Sequence, residues 1–284
     1  LYAVREEDDG AVLAYDVAGE RPREIGRVSV GAAPCHLSLT PGGGHLVVAD
    51  YGSGTVRAVP LSPDGGFAGS PLVAAGHGGG PVADRQEGPH AHGSAHAPDG
   101  TVLTTDLGAD LVRSFRIEDG ALRLIGETPL PPGCGPRHLA VHPSGHVYVV
   151  TELAVTMLVL RPAGGYARLE VVAESPATAD SAGGADLAAA IGLGDGGAHV
   201  YTTTRGADVV TAHRVADDGA ALTPVADVPS GGHWPRDLLV DGPWIHVANE
   251  RGGTIATFRI GPRGVPEPVG EPLAAPTPVC VIPV

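Results

Sequence analysis

The sequence contains no lysine, and all 18 of its basic residues are arginine. Schiff-base chemistry and a Walker-type phosphate loop both need a lysine, so this absence excludes them. The net charge of −14 argues against a nucleic-acid partner, because such a partner needs a broad basic surface. Any anion that the protein binds must therefore be held by arginine, histidine or backbone N–H groups.

Cysteines and long apolar runs are also scarce. The three cysteines, Cys35, Cys134 and Cys280, are too few to indicate a disulfide framework, and no Cys/His zinc spacing is present. No segment approaches the roughly 20 apolar residues that a membrane span requires, and no signal peptide is visible. We therefore expect a cytoplasmic protein without a membrane partner.

A short apolar strand that ends in one or two polar residues recurs about six times. The copies are LYAVRE from Leu1, LVVADY from Leu46, VLTTDL from Val102, VYVVTE from Val147, VYTTTR from Val200 and IHVANE from Ile245. Their starts are 45, 56, 45, 53 and 45 residues apart. A period of roughly 40 to 50 residues is typical of propeller blades. We predict a single all-β propeller domain over residues 1–284, built from four-stranded antiparallel blades.

The blades can be outlined from the same repeat. In the clearest copy we expect strands at PRHLAVHP from Pro136, at VYVVTEL, at TMLVLRP and near residues 167–172. Asp-Gly and Gly-Gly pairs mark the first hairpin in other copies. The chain starts at Leu1 inside a repeat, so we expect the native protein to have residues before it.

Aligning the copies gives two columns of equivalent positions. The first-strand column holds Cys35, His92, Arg137 and Arg236, with Ala189 in the weakest copy and Val279 in the C-terminal segment. The second-strand column holds Glu6, Tyr51, Leu107, Glu152, Arg205 and Glu250. If both columns face one mouth of the central channel, a carboxylate and several cations converge there.

Each candidate residue also has a structural interpretation. Glu152 could form an ion pair with Arg137 or Arg205 that only ties blades together. Arg236 could pair with Asp237 or stack on Trp234. His138 is expected to stabilise the turn at the start of its strand, and Cys35 to be a buried thiol.

Three histidines form the pattern H-A-H-x-x-x-H, at His90, His92 and His96. Residues two apart on a strand share a face, so a metal site is conceivable on this spacing. No cysteine or repeated carboxylate ligand accompanies the histidines. We predict no metal and no cofactor, and instead a catalytic or anion-binding role for His92, with His90 beside it.

Seven motifs together resemble the seven-bladed propeller lactonase family. They are GAAPCHLSLTPGG from Gly31, ADYGSGTV from Ala49, RQEGPHAHG from Arg85, GPRHLAVHPSG from Gly135, GGHWPRDL from Gly231, VANERGGTIATFRI from Val247 and PTPVCV from Pro276. The family includes propeller-type 6-phosphogluconolactonases and 3-carboxy-cis,cis-muconate lactonizing enzymes. The resemblance implies seven blades, of which about one is missing at the N-terminus of this sequence.

The resemblance also implies site residues. The expected catalytic residues are His92, Arg137, Glu152 and Arg205, and the expected substrate-binding residues are His90, Arg236, His138 and Tyr51. The chain departs from the family pattern at Ala189, where a polar or acidic residue is usual, and at Thr151 and Thr204, where asparagine is common.

The lead interpretation is a lactonase that hydrolyses a small anionic lactone, similar to a 6-phosphogluconolactonase. Hydrolysis needs a base for water, a donor for the oxyanion and an acid for the leaving oxygen. Glu152 or His92 is a candidate base, and Arg137 is a candidate hydrogen-bond donor to the oxyanion or to a substrate carboxylate. The alternatives are a lactonizing cycloisomerase or other cyclase, and a propeller that binds a ligand without turnover. The sequence gives no oligomeric state.

The three interpretations predict different surroundings for Glu152. A phosphate-binding lactonase predicts at least two arginines beside this carboxylate. A cyclase predicts a more enclosed and apolar funnel. A non-catalytic propeller predicts arginines that are each neutralised by an acidic partner.

Overall fold

A computed structural model of the chain describes residues 1–180 and 182–283. The chain divides into two compact units, Leu1–Pro136 with Ala163–Leu169 and Arg137–Pro162 with Glu170–Val284. The described residues form six antiparallel sheets, numbered here in chain order. None of their helical turns is long and apolar enough to cross a membrane. The single domain over 1–284 stays a prediction.

Unit 1 contains sheets 1 to 3, in which strands that are consecutive in sequence pair with each other. Sheet 1 consists of β1 (Tyr2–Arg5), β2 (Ala11–Asp16) and β3 (Arg23–Ser29). Sheet 2 consists of β4 (Pro34–Leu39), β5 (His45–Asp50), β6 (Thr55–Pro60) and β7 (Leu72–Ala75). Sheet 3 consists of β8 (Ala91–His96), β9 (Val102–Asp106), β10 (Leu111–Glu118) and β11 (Ala121–Pro129).

Unit 2 contains sheets 4 to 6, which follow the same consecutive order except that the last strand of sheet 6 pairs with the third. Sheet 4 consists of β12 (Pro136–Val141), β13 (Val147–Thr151), β14 (Thr156–Pro162) and β15 (Leu169–Pro176). Sheet 5 consists of β16 (Leu187–Leu193), β17 (His199–Arg205), β18 (Val209–Val215) and β19 (Leu222–Pro229), with a 3₁₀ turn at Asp195–Gly197. Sheet 6 consists of β20 (Pro235–Asp241), β21 (Trp244–Asn249), β22 (Thr254–Ile260), β23 (Pro266–Pro268) and β24 (Leu273–Ala274).

The burial of each strand follows its place in the sheet. β9 and β13 are buried along their whole length, which suits their Val- and Thr-rich sequences. The fourth strand β15 is mostly exposed or half-exposed, so it lacks a continuous apolar signal. We expected it near residues 167–172, and it runs from Leu169 to Pro176 instead. The expected first three strands of sheet 4 are confirmed.

Apolar side chains fill the space between successive sheets within each unit. In unit 1, Phe115 of sheet 3 belongs to the same buried cluster as Val47 of sheet 2. In unit 2, Tyr148 of sheet 4 clusters with Val200 of sheet 5. The same arrangement continues from sheet 5 to sheet 6, where Tyr201 clusters with Phe258. Each sheet therefore depends on its neighbour for burial, as blades do.

One tyrosine position ties neighbouring sheets together. The second residue of three repeat copies is tyrosine, and its hydroxyl donates to a glycine carbonyl in the next sheet of its unit. The pairs are Tyr2 with Gly65 at 2.6 Å, Tyr148 with Gly219 at 2.9 Å and Tyr201 with Gly264 at 2.9 Å. Burial raises the pKa of both Tyr148 and Tyr201 to about 12. These hydroxyls therefore remain neutral donors at any physiological pH.

The residue before the third strand adopts a left-handed conformation in five sheets. The residues and their φ angles are Gly54 at 61°, Asp110 at 52°, Val155 at 53°, Asp208 at 55° and Gly253 at 62°. Glycine and aspartate tolerate this conformation better than other residues do. The two aspartates also use their side chains to hold the loop that leads to the next sheet.

Candidate active site

A β-bulge lies at the same point of several first strands. The pairing of the first with the second strand skips one residue in sheets 2, 3 and 6, and the skipped residues are Cys35, His92 and Arg236. A bulge turns the extra side chain away from the regular alternation of the strand. The predicted equivalence of these three first-strand positions is therefore confirmed.

The second column lies directly beside the first. In each of these three sheets, the backbone N–H of the second-column residue donates to the carbonyl of the residue two positions before the bulge. The bonds run from Tyr51 to Ala33 at 3.0 Å, from Leu107 to His90 at 2.8 Å and from Glu250 to Trp234 at 3.0 Å. The backbone therefore places a bulge residue next to a second-column residue in each of these sheets. The chemistry of each pair depends only on which residues occupy the two positions.

In unit 2 this geometry creates a buried cluster around Glu152. The Oε2 atom of Glu152 lies 3.0 Å from Nε of Arg137 and 2.8 Å from Nη2 of Arg205. The exposed fractions of the three side chains are only 3%, 3% and 9% in the order Glu152, Arg137, Arg205. Both ion pairs that the sequence suggested as alternatives are present at once.

Arg205 is fixed from several directions. Its Nη2 also donates to the carbonyl of Ala188 at 3.0 Å, and its Nε donates to the carbonyl of Leu187 at 3.4 Å. These contacts use Nε and Nη2, and Nη1 takes no part in them. Two guanidinium groups therefore meet one oxygen of a buried carboxylate.

His138 contacts the cluster through Arg137. Nη1 of Arg137 lies 3.1 Å from Nε2 of His138. A guanidinium can only donate, so this imidazole nitrogen accepts and the proton lies on Nδ1. His138 therefore holds a neutral tautomer against Arg137 as well as forming part of β12.

A second, more exposed version of the pair occurs in sheet 6. Nη1 of Arg236 lies 3.4 Å from Oε2 of Glu250, and the side chains are 25% and 21% exposed. Arg236 and Glu250 occupy the same two columns as Arg137 and Glu152. The ring of Trp234 lies under two other arginines, with Cζ of Arg251 3.5 Å and Cζ of Arg205 5.6 Å from its centroid.

The C-terminal segment does not supply the strand that the repeat alignment expected. Residues 276–283 are not in a strand, and the placement of Val279 in the first-strand column stays a prediction. The N–H of Val281 donates to Oδ2 of Asp237 at 3.0 Å instead. Burial raises the pKa of Asp237, although this bond, the Cys280 thiol and the nearby Arg137 oppose the shift. The segment is therefore held by a side chain and not by a ladder of backbone bonds.

In unit 1 the candidate residues form a separate aromatic group. The rings of Tyr51 and His90 stack with centroids 4.3 Å apart, and His92 meets Tyr51 edge-on at 5.7 Å. The two nitrogens of His90 lie 2.9 Å from the Tyr51 carbonyl and 3.0 Å from Oε1 of Glu87. A bond from its own backbone and the nearby His90 hold the pKa of Glu87 below its usual range. His90 is therefore engaged at both nitrogens.

The three histidines of the H-A-H-x-x-x-H pattern do not form a metal-binding group in the part of the chain that the structure describes. Nε2 of His96 lies 2.9 Å from the Ser38 hydroxyl, and burial lowers the pKa of His96. Over residues 1–180 and 182–283, no group of three or more His, Cys, Asp or Glu side chains has metal-binding geometry.

The structure brings together four of the predicted site residues in unit 2 and three in unit 1. The unit 2 group is Arg137, His138, Glu152 and Arg205, and the unit 1 group is Tyr51, His90 and His92. Sequence reasoning missed Glu87, Asp208 and Arg251. Glu87 lies three residues before its partner His90 in the same motif, whereas Asp208 and Arg251 contact Trp234 from elements that no sequence period relates to it. The WPR motif was the available signal for the Trp234 neighbourhood.

Comparison with known proteins identifies the family. A family model described as "Lactonase, 7-bladed beta-propeller" matches residues 1–283. The chain belongs to this family. It is 32% identical to the 6-phosphogluconolactonase of Bacillus subtilis over 293 aligned residues, which cover 99% of this chain and 83% of that protein. The predicted family is therefore confirmed.

Two solved structures show the same architecture. A protein from Lactobacillus plantarum superposes with a TM-score of 0.92 at 24% identity, over 98% of this chain and 83% of that one. The periplasmic gluconolactonase PpgL of Pseudomonas aeruginosa superposes with a TM-score of 0.87 at 25% identity, over 98% and 83% of the two chains. The fold is an all-β propeller of four-stranded antiparallel blades, as predicted. The family description specifies seven blades, and the described residues form six sheets, the first with three strands.

Proposed function

We propose that this protein is a lactonase that hydrolyses a small anionic lactone of the 6-phosphogluconolactone type. Membership of the lactonase family supports the reaction class. The match to the Bacillus subtilis 6-phosphogluconolactonase over 99% of the chain supports the substrate class.

The observation that carries the proposal is the pair of guanidinium groups on Glu152. Arg137 and Arg205 are buried, so their charge acts in a medium that screens it less than water does. Guanidinium groups match the geometry of phosphate and carboxylate oxygens. Two guanidinium groups gathered at one carboxylate favour an anionic ligand over a neutral one.

The roles of the side chains follow from their contacts. Glu152 holds both guanidinium groups, and its Oε2 is already engaged twice. We therefore assign Glu152 to positioning and electrostatic balance, and Arg137 and Arg205 to binding the substrate anion or the oxyanion. The sequence-based prediction of a base is then kept for His92, since histidine is the side chain whose ordinary pKa lies nearest neutrality.

The alternatives fit the surroundings of Glu152 less well. A cyclase predicts an enclosed apolar funnel, whereas Glu152 meets two guanidinium groups. Membership of the lactonase family and the match to a named lactonase favour an enzyme over a propeller that only binds a ligand.

The experiment is hydrolysis of 6-phosphogluconolactone by purified protein, with glucono-1,5-lactone as the unphosphorylated comparison and spontaneous hydrolysis subtracted. Arg137→Ala, Glu152→Gln and His92→Gln are tested beside Arg161→Ala, which removes an exposed ion pair with Glu170. Loss of a transition-state contact costs about 10²-fold or more in rate. We expect a rate loss of this size in all three of these variants and no loss in the control Arg161→Ala.

Each other result has a defined meaning. Activity only on the unphosphorylated lactone would keep the reaction and change the substrate. No activity on either lactone, with a folded protein, would refute the lactonase proposal. Full activity in His92→Gln would remove the base assignment alone.

We place the enzyme in the cytoplasm. The three cysteines form no disulfide in the described structure, which suits a reducing compartment. A phosphorylated sugar acid is also confined by its charge to the compartment in which it is made. The Pseudomonas aeruginosa relative is described as periplasmic. Finding the activity of the native protein in a periplasmic fraction would contradict a cytoplasmic location for this enzyme.

A further inference from the structure

Trp234 has a backbone conformation that bulky side chains rarely adopt. Its φ angle is 65°, in the left-handed region. For a large side chain this is a true outlier, and such residues persist only where the surroundings impose the conformation. The surroundings of Trp234 therefore need an explanation.

The imposing contact comes from the neighbouring sheet. The N–H of Trp234 donates to Oδ1 of Asp208 at 2.8 Å, and Nδ1 of His233 lies 2.5 Å from Oδ2 of the same carboxylate. The carbonyl of Trp234 accepts the N–H of Glu250 at 3.0 Å. Asp208 follows β17, the strand that ends at Arg205. One carboxylate thus fixes the Trp234 backbone relative to the strand that carries Arg205.

The result is an indole ring held against two cations. The Arg205 guanidinium lies within the distance at which a cation interacts with an aromatic ring, and the Arg251 guanidinium is closer still. Arginine donates all of its hydrogen bonds in the plane of the guanidinium. A ring that restrains this group therefore limits its rotation and leaves its edges for hydrogen bonds.

We propose that Trp234 is a positioning residue that orients the guanidinium of Arg205 toward the substrate anion, and that Asp208 holds Trp234 in place. This inference rests on the proposed lactonase function for its substrate. The role is to bind, since Trp234 acts through Arg205 and not on the reacting bond. Its loss should therefore raise KM more than it lowers kcat.

The chain offers a matched control in its second tryptophan. Trp244 is 38% exposed and starts β21, at the opposite end of sheet 6 from Trp234. We expect Trp234→Ala to raise KM for 6-phosphogluconolactone by about 10-fold, the size of one desolvated cation–aromatic contact. Trp234→Phe should restore most of this loss, and Trp244→Ala should leave KM unchanged.

A second measurement does not depend on turnover. Trp244→Phe leaves Trp234 as the only tryptophan, so its fluorescence reports on its arginine neighbours. We expect saturable changes in emission on titration with 6-phosphogluconate, and with inorganic phosphate at higher concentration. The change should disappear when Arg205→Gln is added.

The two measurements separate the two proposals. A fluorescence response that requires Arg205, in a protein without lactonase activity, would refute the proposed reaction and keep the positioning role. Equal KM values in Trp234→Ala and wild type, or an emission that no anion changes, would overturn the positioning role. Equal losses of stability and activity in Trp234→Ala that Trp234→Phe does not rescue would also overturn it, because they indicate packing alone.

Discussion

The guanidinium groups of Arg137 and Arg205 form ion pairs with the same oxygen of Glu152, although the two arginines come from different sheets of unit 2. Glu152 thereby joins sheet 4 to sheet 5 through a charged contact that is almost completely buried. Removing one member of such a group leaves the others charged and without balance.

Glu152→Gln should therefore lower both stability and activity. We expect the free energy of unfolding to fall by about 3 kcal/mol, because two buried guanidinium groups lose their carboxylate. Lactonase activity should fall by about 10²-fold or more. Urea denaturation and steady-state kinetics measure the two effects.

The matched control is Glu250→Gln, which changes the equivalent position of sheet 6. Its partner Arg236 is one-quarter exposed, so the loss should stay below about 1 kcal/mol. Similar losses in the two variants would contradict the distinction between the buried and the exposed pair.

Asp110→Asn should loosen the loop that precedes Arg137 in sequence. Asp110 accepts the N–H groups of Gly133 at 2.6 Å and Gly135 at 2.8 Å, and the side-chain amide of Gln86 at 2.8 Å. In Asp110→Asn the new amide NH₂ group faces N–H donors and cannot accept from them. We therefore expect the free energy of unfolding, measured by urea denaturation, to fall by about 2 kcal/mol.

The control for Asp110→Asn is Asp119→Asn. Asp119 has a similar φ angle of 50°, but its side chain is 81% exposed. The urea midpoint of Asp119→Asn should equal that of the wild-type protein. An equal shift in both variants would mean that backbone conformation, and not the buried hydrogen bonds, sets the effect.

Acid should destabilise the protein through His213. Burial lowers the pKa of this fully buried imidazole to about 4, against the opposing effect of Asp227. Between about pH 6.5 and 4 the unfolded chain binds a proton that the folded protein does not bind. The contribution is therefore fully present above pH 6.5 and is lost as the pH falls to 4, by about 3 kcal/mol in total.

The measurement is the urea midpoint between pH 4 and 8. His213→Gln keeps a donor for the Thr202 hydroxyl, which lies 2.9 Å from Nε2, and removes the titration. Its pH profile should be flatter than that of the wild type or of the half-exposed control His45→Gln. Parallel profiles for all three proteins would exclude His213 as the cause.

Cys280 should react slowly with thiol reagents although the residue is exposed. Burial of the sulfur, followed by its interactions with Asp237, raises the pKa of the thiol to about 12. Only the thiolate reacts, and at pH 8 it is a very small fraction. With Cys35 and Cys134 replaced by alanine, a disulfide reagent should label Cys280 slowly, and Asp237→Asn should increase the rate. Labelling as fast as that of a small free thiol would refute this expectation.

The backbone of the site could be predicted from the sequence because it repeats. The spacing of the copies placed Cys35, His92 and Arg236 in one column, and the bulges confirm that alignment. The joint contact of Arg137 and Arg205 with Glu152 was suggested only as two alternatives. A repeat specifies position within a blade, but it does not specify how far a side chain reaches into the next one.

The features that could not be predicted are set by contacts between elements. The left-handed backbone of Trp234 depends on Asp208, which lies 26 residues earlier in the chain. The C-terminal segment matched the first-strand pattern, but its N–H group bonds to the Asp237 side chain. In the sequence, an apolar segment that is held by one side-chain hydrogen bond has the same residue pattern as a short strand.

The tyrosine contacts between sheets limit where this chain tolerates a change in length. A phenol has a fixed length, so Tyr148 reaches the carbonyl of Gly219 only when the turn between the third and fourth strands keeps its size. Tyr2 and Tyr201 impose the same requirement on the turns at Gly65 and Gly264. Insertions in those turns would detach a buried hydroxyl, whereas loops without such a contact are free of this limit. These three tyrosines therefore fix the length of the turns that they contact, and changes in length are expected in other parts of the blade.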